Sequence, residues 1–150
     1  MLRPLALAVA LAAAQSAAER SVLIVAAPDA PVKLDSAKLL NTNAEPLVLL
    51  YAATNLTETP LEQFTVTVYV FGPDGRLKAR QVAPGRRTLE ARETKYSAMV
   101  LDVGKIEAAD RLMAGVDQAQ NEGSDAWWRT DLRAIAETAA KGGTPSPAKK

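Results

Sequence analysis

The sequence predicts an all-β protein, an antiparallel β-sandwich of about seven strands closed by a short C-terminal α-helix. Apolar and polar residues alternate with period two, most clearly in 64–71, where the valines at 66, 68 and 70 share one face. Turn residues separate such segments at intervals of about 8–12 residues, which is typical of a sandwich. The segment 64–71 is therefore expected to form a half-buried strand.

The other strands are predicted from apolar or β-branched segments bounded by turn residues: 21–27, 46–54, 77–82, 94–101, 111–117 and 126–129. The segment 46–54 is apolar on both faces, as in a strand at the middle of a sheet. In 94–101, the residues Tyr96, Ala98 and Val100 alternate with polar or flexible neighbours. Residues 32–43 leave two alternatives open, a short helical turn or a further strand.

A helix is predicted at residues 131–141, because Leu132, Ile135, Ala136 and Ala139 recur at helical spacing. Thr130 or Asp131 provides a suitable N-cap side chain. Residues 142–150 are rich in proline, serine and lysine, and we expect them to form a disordered tail.

Residues 1–18 predict a secretory signal peptide. Arg3 precedes a short apolar run, and Ser16 and Ala18 are the small residues expected before a cleavage site. A membrane anchor is the alternative, but the run is shorter than the ~20 residues that a spanning helix needs. We therefore expect a single domain at 19–141, located in the periplasm or secreted, with no transmembrane segment after cleavage.

The composition excludes several kinds of chemistry. The chain has no histidine and no cysteine, so it cannot form a Ser-His-Asp triad, a Cys-His pair or a zinc site built on those residues. We predict a protein that is not an enzyme, with no catalytic residues, no metal and no cofactor. Without residues 1–18, which carry only Arg3, 17 basic residues balance 17 acidic ones, which argues against nucleic acid as a partner.

A basic surface is predicted on the segment 77–82 and the residue before it. Arg76, Lys78 and Arg80 alternate with smaller residues, and side chains two apart on a strand share a face. More basic residues follow in the sequence: Arg86, Arg87, Arg92 and Lys95. This pattern is typical of a site for an anionic glycan or an envelope protein. It is more typical of a solvated strand face or of an edge strand that charge protects from aggregation.

Three further features have structural and functional interpretations. Trp127 and Trp128 are adjacent, so on a strand one faces the core and the other faces outward or lies under the helix, where an exposed ring would suit a sugar or protein partner. The acidic stretch 102–131 can pair with the basic stretch within the fold or between copies in a homo-oligomer. The sequon at Asn55 is predicted to be a strand-end turn.

The run Leu49–Thr57 is an apolar strand that ends in Asn-x-Thr, and it resembles bacterial extracytoplasmic immunoglobulin-like domains of the FxLYD kind. The segments 66–71, 73–75 and 93–97 continue the similarity, which covers roughly residues 45–129. One departure is Ala91-Arg92-Glu93, where those domains usually have Pro-Gly-Glu. The resemblance implies a seven-strand immunoglobulin-like sandwich in an exported protein, with a binding or scaffold role and no catalytic residues.

We therefore expect an exported, non-catalytic binding or structural accessory module of the bacterial cell envelope. Two other functions stay open. One is a carboxylate-based hydrolase acting on envelope polysaccharide, which would need two carboxylates about 5–9 Å apart in a cleft. The other is an assembly chaperone that donates an exposed edge strand to its partners.

Overall fold

The computed structural model describes residues 19–40, 46–83 and 87–142. The predicted signal peptide at 1–18 and all of the predicted tail after Gly142 lie outside these ranges. The strands are β1 Glu19–Ser21, β2 Leu23–Ile24, β3 Val32–Leu40, β4 Leu47–Asn55, β5 Leu61–Phe71, β6 Leu77–Val82, β7 Thr94–Leu101, β8 Arg111–Asn121 and β9 Trp127–Arg129, followed by the helix α1 Leu132–Ala140.

The strands form two sheets packed face to face, which confirms the β-sandwich with a C-terminal helix. One sheet has the order β1-β3-β4-β7, and the other has the order β2-β8-β5-β6 with β9 also on β8. All pairings are antiparallel except that of β2 with β8, which is parallel. No helix within the described ranges is long and apolar enough to cross a membrane.

Two differences raise the strand number to nine among the described residues. The predicted strand at 21–27 divides, because β1 pairs with β3 in one sheet while β2 pairs with β8 in the other. Residues 32–40 form β3, which resolves the open alternative in favour of a strand. A register shift between Leu34 and Ser36 interrupts its alternation, which explains why a helical turn was also compatible with the sequence.

The crossing of the N-terminal segment between sheets is held by a long-range contact. The guanidinium of Arg20 donates hydrogen bonds to the carbonyl oxygens of Glu107 (2.9 Å), Ala108 (3.1 Å) and Asp110. Five N–H donors in a fixed fork suit this use of arginine. The start of the described chain is therefore attached to the loop before β8.

The prediction that 64–71 is half-buried is wrong, because both of its faces are covered. Val66, Val68 and Val70 face the core between the sheets. On the opposite face Tyr69 and Phe71 are also fully buried, in a second cluster that includes Leu132 of α1. The apolar side of the amphipathic helix covers this face of the five-stranded sheet.

The helix begins as the sequence predicted, with Asp131 as N-cap accepting a hydrogen bond from the N–H of Ala134 (3.2 Å). It lies close to β8 at Gly115. A β-carbon at that position would be 2.3 Å from the carbonyl oxygen of Val25 and about 3.0 Å from the Leu132 side chain. Only glycine allows the N-terminal segment and the helix to approach β8 this closely.

Candidate functional site

The predicted basic surface at β6 is divided by the fold. Leu77 packs on the helix side of its sheet, whereas Ala79 packs against the core between the sheets, because a register shift lies between them. The bulge interrupts the alternation that would place Arg76, Lys78 and Arg80 in one row. All three are exposed, but they do not share one environment.

Lys78 is paired with a buried carboxylate. Its Nζ lies 2.6 Å from Oδ2 of Asp110, whose side chain is only 1% exposed, while that of Lys78 is 39% exposed. The N–H of Glu107 donates to the same oxygen at 2.7 Å. The hydrogen bond from Lys78, and then that from Glu107, hold the pKa of Asp110 below its ordinary value. Lys78 therefore stabilises the loop before β8 and is a poor candidate for partner binding.

We expect Lys78→Ala to lower the free energy of unfolding by about 2 kcal/mol, because it leaves a buried carboxylate oxygen without its charged hydrogen-bond donor. A carboxyl with a depressed folded pKa stabilises the fold above its unfolded pKa of about 3.9, and that contribution is lost as the pH falls through the folded value. The difference in the free energy of unfolding between Lys78→Ala and the wild type should therefore become smaller below about pH 4. Urea unfolding at several pH values measures it.

The matched control is Arg76→Ala, because the Arg76 side chain is 88% exposed and its nearest carboxylate contact, to Asp74, is 3.9 Å. This variant should change the free energy of unfolding by less than about 0.5 kcal/mol. Equal losses in the two variants would contradict the assignment of Lys78 to Asp110.

The tryptophan pair is half-buried on β9. Trp128 lies opposite Ala119 and packs against the core, and its Nε1 donates to Asp29 at 3.1 Å. Trp127 faces the other way, and the guanidinium of Arg129 lies 5.2 Å from its ring centroid. Trp128 is thus the core residue of the pair, and Trp127 is the outward one.

One edge of the four-stranded sheet is β7, whose only paired neighbour among the described residues is β4. The N–H of Asn55 donates to the carbonyl oxygen of Glu93 (2.9 Å), so odd-numbered residues of β7 turn their backbone groups toward β4. Thr94, Tyr96 and Ala98 turn theirs away. No hydrogen bond within the described part of the chain reaches these outward groups.

Gln81 of β6 covers the other end of this edge. Its Nε2 donates to the carbonyl oxygen of Val100 (2.9 Å), and its Oε1 accepts from the N–H of Asp102 (2.7 Å). These contacts confirm that even-numbered residues face away from β4. A side-chain amide carries one carbonyl acceptor and N–H donors, so Gln81 occupies the place of a neighbouring strand.

An exposed apolar surface lies on the outer face of the sheet beside this edge. We call it the outer patch, and it consists of Leu50, Tyr96, Ala98 and Val100. Tyr96 is 83% exposed, Val100 58% and Leu50 36%. Leu50 lies directly opposite Ala98 across the two strands. Three residues of the patch, Leu50, Tyr96 and Ala98, line an open concavity of about 620 Å³ together with Ser36 and Lys38.

A second concavity lies on the other side of β7, since Lys95 and Ser97 alternate with Tyr96 along the strand. We call it the basic pocket; it has a volume of about 240 Å³ and is lined by Phe64, Arg87, Thr88, Lys95 and Ser97. Lys95 Nζ donates to the carbonyl oxygen of Thr88 at 3.0 Å. Arg87 Nε donates to the Tyr51 hydroxyl at 2.7 Å. No acidic residue is among these five lining residues.

Asn55 holds the segment that forms one wall of the basic pocket. It is fully buried, and its Nδ2 donates to the carbonyl oxygens of Thr59 (2.9 Å), Glu90 (3.1 Å) and Leu89 (3.4 Å). Its Oδ1 accepts from the N–H (2.9 Å) and the hydroxyl (2.8 Å) of Thr57. The sequon is thus the strand-end turn that the sequence predicted.

The sequence indicated several residues of this site but not that they lie close together in the fold. Arg87 and Lys95 belong to the predicted basic stretch, and the turn between them brings both to one pocket. Tyr96 and Val100 were visible as an alternating row, but the alternation alone does not say which side of a sheet is left uncovered. Leu50 was hidden in a strand that is apolar on both faces.

No known protein family matches this chain, and no curated protein or solved structure was found to be similar to it. Among the described residues, no three acidic side chains are grouped in a way that suits a metal ion.

Proposed function

We propose that the protein is a non-catalytic binding module, and in particular an exported accessory of the bacterial cell envelope that holds another protein at the outer patch. The observation that carries this proposal is the exposure of Tyr96 beside two aliphatic residues on one sheet face. Large contiguous apolar patches are uncommon on the surface of monomeric proteins, and where they occur they often mark interaction sites. Tyrosine is also enriched among the residues that dominate binding energy.

The immunoglobulin-like resemblance supports the same proposal. Arg92 adopts a φ of 62°, in the left-handed region that favours glycine. This is the position at which the resembled domains usually have the glycine of Pro-Gly-Glu. Arg92 also forms an ion pair with Glu58 at 2.7 Å, which ties the departing residue to the neighbouring turn. The left-handed conformation at Arg92 is one that a glycine would adopt without steric cost.

Binding of an anionic glycan at Arg76, Lys78 and Arg80 has less support than binding of a protein at the outer patch. One of the three cations, Lys78, is already paired with Asp110. The hydrolase alternative gains no support either. No carboxylate lines the concavity at the outer patch or the basic pocket, and a third concavity, beside β9, is lined by one carboxylate, that of Asp29.

Tyr96→Ser tests the proposal. We expect it to weaken retention of the purified chain on washed envelope fractions by about tenfold or more, because the loss of a central aromatic anchor costs about 2 kcal/mol of binding. The free energy of unfolding should change little, since the side chain is exposed. Sedimentation at several protein concentrations gives the apparent affinity.

Val82→Ser is the matched control. Val82 is 38% exposed on the other sheet, so the variant removes exposed apolar surface elsewhere. It should leave retention unchanged. If Tyr96→Ser is retained as well as the wild type, the outer patch is not the binding surface.

A further inference from the structure

We propose that β7 accepts an extended segment of a partner protein as a fifth strand of the four-stranded sheet, with an acidic side chain of that segment in the basic pocket. This inference rests on the proposed function and names the chemistry of its partner. The partner segment alternates acidic residues, which face the pocket, with apolar residues, which extend the outer patch.

The backbone of β7 is prepared for such an addition. Thr94, Tyr96 and Ala98 present three N–H and three C=O groups at the edge, without partners among the described residues. An antiparallel strand pairs with both groups of every second residue. Gln81 already bonds the C=O of Val100 and the N–H of Asp102, so the open part of the edge ends at Val100.

The two sides of this edge differ in chemistry, and successive side chains of an added strand would meet them in turn. On the outer face, a partner side chain would lie beside Tyr96 and Ala98, where an apolar residue buries surface. On the inner face, it would lie beside Lys95 and Ser97, at the mouth of the basic pocket. In strand addition, backbone hydrogen bonds supply affinity and such alternating sites supply specificity.

The charge of the basic pocket selects an acidic occupant. Arg87 and Lys95 both line it, and the hydroxyls of Thr88 and Ser97 add further donors. Charge-assisted hydrogen bonds to a carboxylate are about twice as strong as neutral ones.

The same charges disfavour two segments of the chain itself as occupants, β7 of a second copy and residues 143–150. A second copy adding its own β7 would bring another Lys95 toward the pocket, and like charges oppose binding. The C-terminal residues 143–150 contain Lys149 and Lys150, two prolines and no acid. The strand that fits therefore comes from another protein.

The test uses the purified exported chain and two short blocked peptides, one alternating valine with glutamate and one alternating valine with lysine. The glutamate peptide should bind at least about tenfold more tightly, because the lysine peptide places like charges at the pocket. Its binding should slow hydrogen exchange at the amides of Tyr96 and Ala98. Lys95→Glu should reverse the preference between the peptides.

Ala98→Pro blocks the edge without disturbing β4, because the N–H that proline lacks points away from the sheet and proline is tolerated there. It should lower the affinity for the glutamate peptide by about tenfold or more. Ala98→Ser keeps the N–H, and its affinity for that peptide should stay within about twofold of the wild-type value. Circular dichroism confirms that both variants fold.

The proposal is overturned if the glutamate peptide does not bind, if Ala98→Pro binds it normally, or if the protected amides lie elsewhere. The outer patch is judged separately. If Tyr96→Ser loses envelope retention while Ala98→Pro keeps it, the proposed function stands and strand addition does not.

Discussion

Asn55→Asp should destabilise the fold by about 3 kcal/mol at neutral pH, although the two side chains have nearly the same shape. The exchange removes the amide donor that serves three backbone carbonyl oxygens and places a buried carboxylate among them. Unsatisfied buried groups cost about 1–3 kcal/mol each, and more when charged. Urea unfolding of the purified chain measures the loss.

The dependence of this loss on pH gives a second readout. Burial beside carbonyl oxygens raises the pKa of the introduced carboxyl, so the variant recovers stability as the pH falls through that raised value. Asn121→Asp is the matched control, since Asn121 is exposed. It should change the free energy of unfolding by less than about 0.5 kcal/mol. Equal losses at the two positions would mean that the buried amide does not organise the turn.

Gly115→Ala should cost about 3 kcal/mol, at the upper end for overpacking of a core. The added β-carbon would overlap a backbone oxygen, that of Val25, which cannot rotate away as a side chain can. Either the N-terminal segment or the helix must then move from β8. Thermal or denaturant unfolding gives the loss, and hydrogen exchange of the helix amides shows which element moved.

Gly72→Ala provides the comparison for this prediction. Gly72 is also buried, but the nearest atom to an added β-carbon is a carboxylate oxygen of Asp74, at the end of a side chain, at 3.0 Å. Its cost should stay below about 1 kcal/mol. A similar loss in both variants would indicate a general effect of replacing glycine rather than the close approach at Gly115.

Alternation was sufficient to predict that 64–71 and 94–101 form strands. The alternation in β7 did not say which of its faces lies in the core, whereas the valine face of β5 and the start of the helix at Asp131 were predicted from such local patterns. The division of 21–27 between two sheets was not, because a uniformly apolar run carries no mark of where it changes partner. The burial of Tyr69 was missed for a similar reason, since it depends on a helix more than sixty residues later in the chain.

The candidate site was predicted only in fragments, because it depends on what lies beside β7 rather than on any motif. Arg87 and Lys95 are separated by a turn that their own side chains do not specify. The openness of the edge follows from the strand order, in which no strand formed by the described residues lies on the far side of β7. Neither the order nor the missing neighbour can be read from period-two patterns.

The attachment of Arg20 to the carbonyl oxygens of Glu107, Ala108 and Asp110 has a consequence for how the chain matures. Together with the parallel contact between β2 and β8, it joins the first residues of the domain to residues almost ninety positions later. Contacts between residues this far apart in sequence slow folding, because the long loop between them must close first. A polypeptide emerging from its amino end therefore cannot complete this sandwich until residues 107–121 have also emerged.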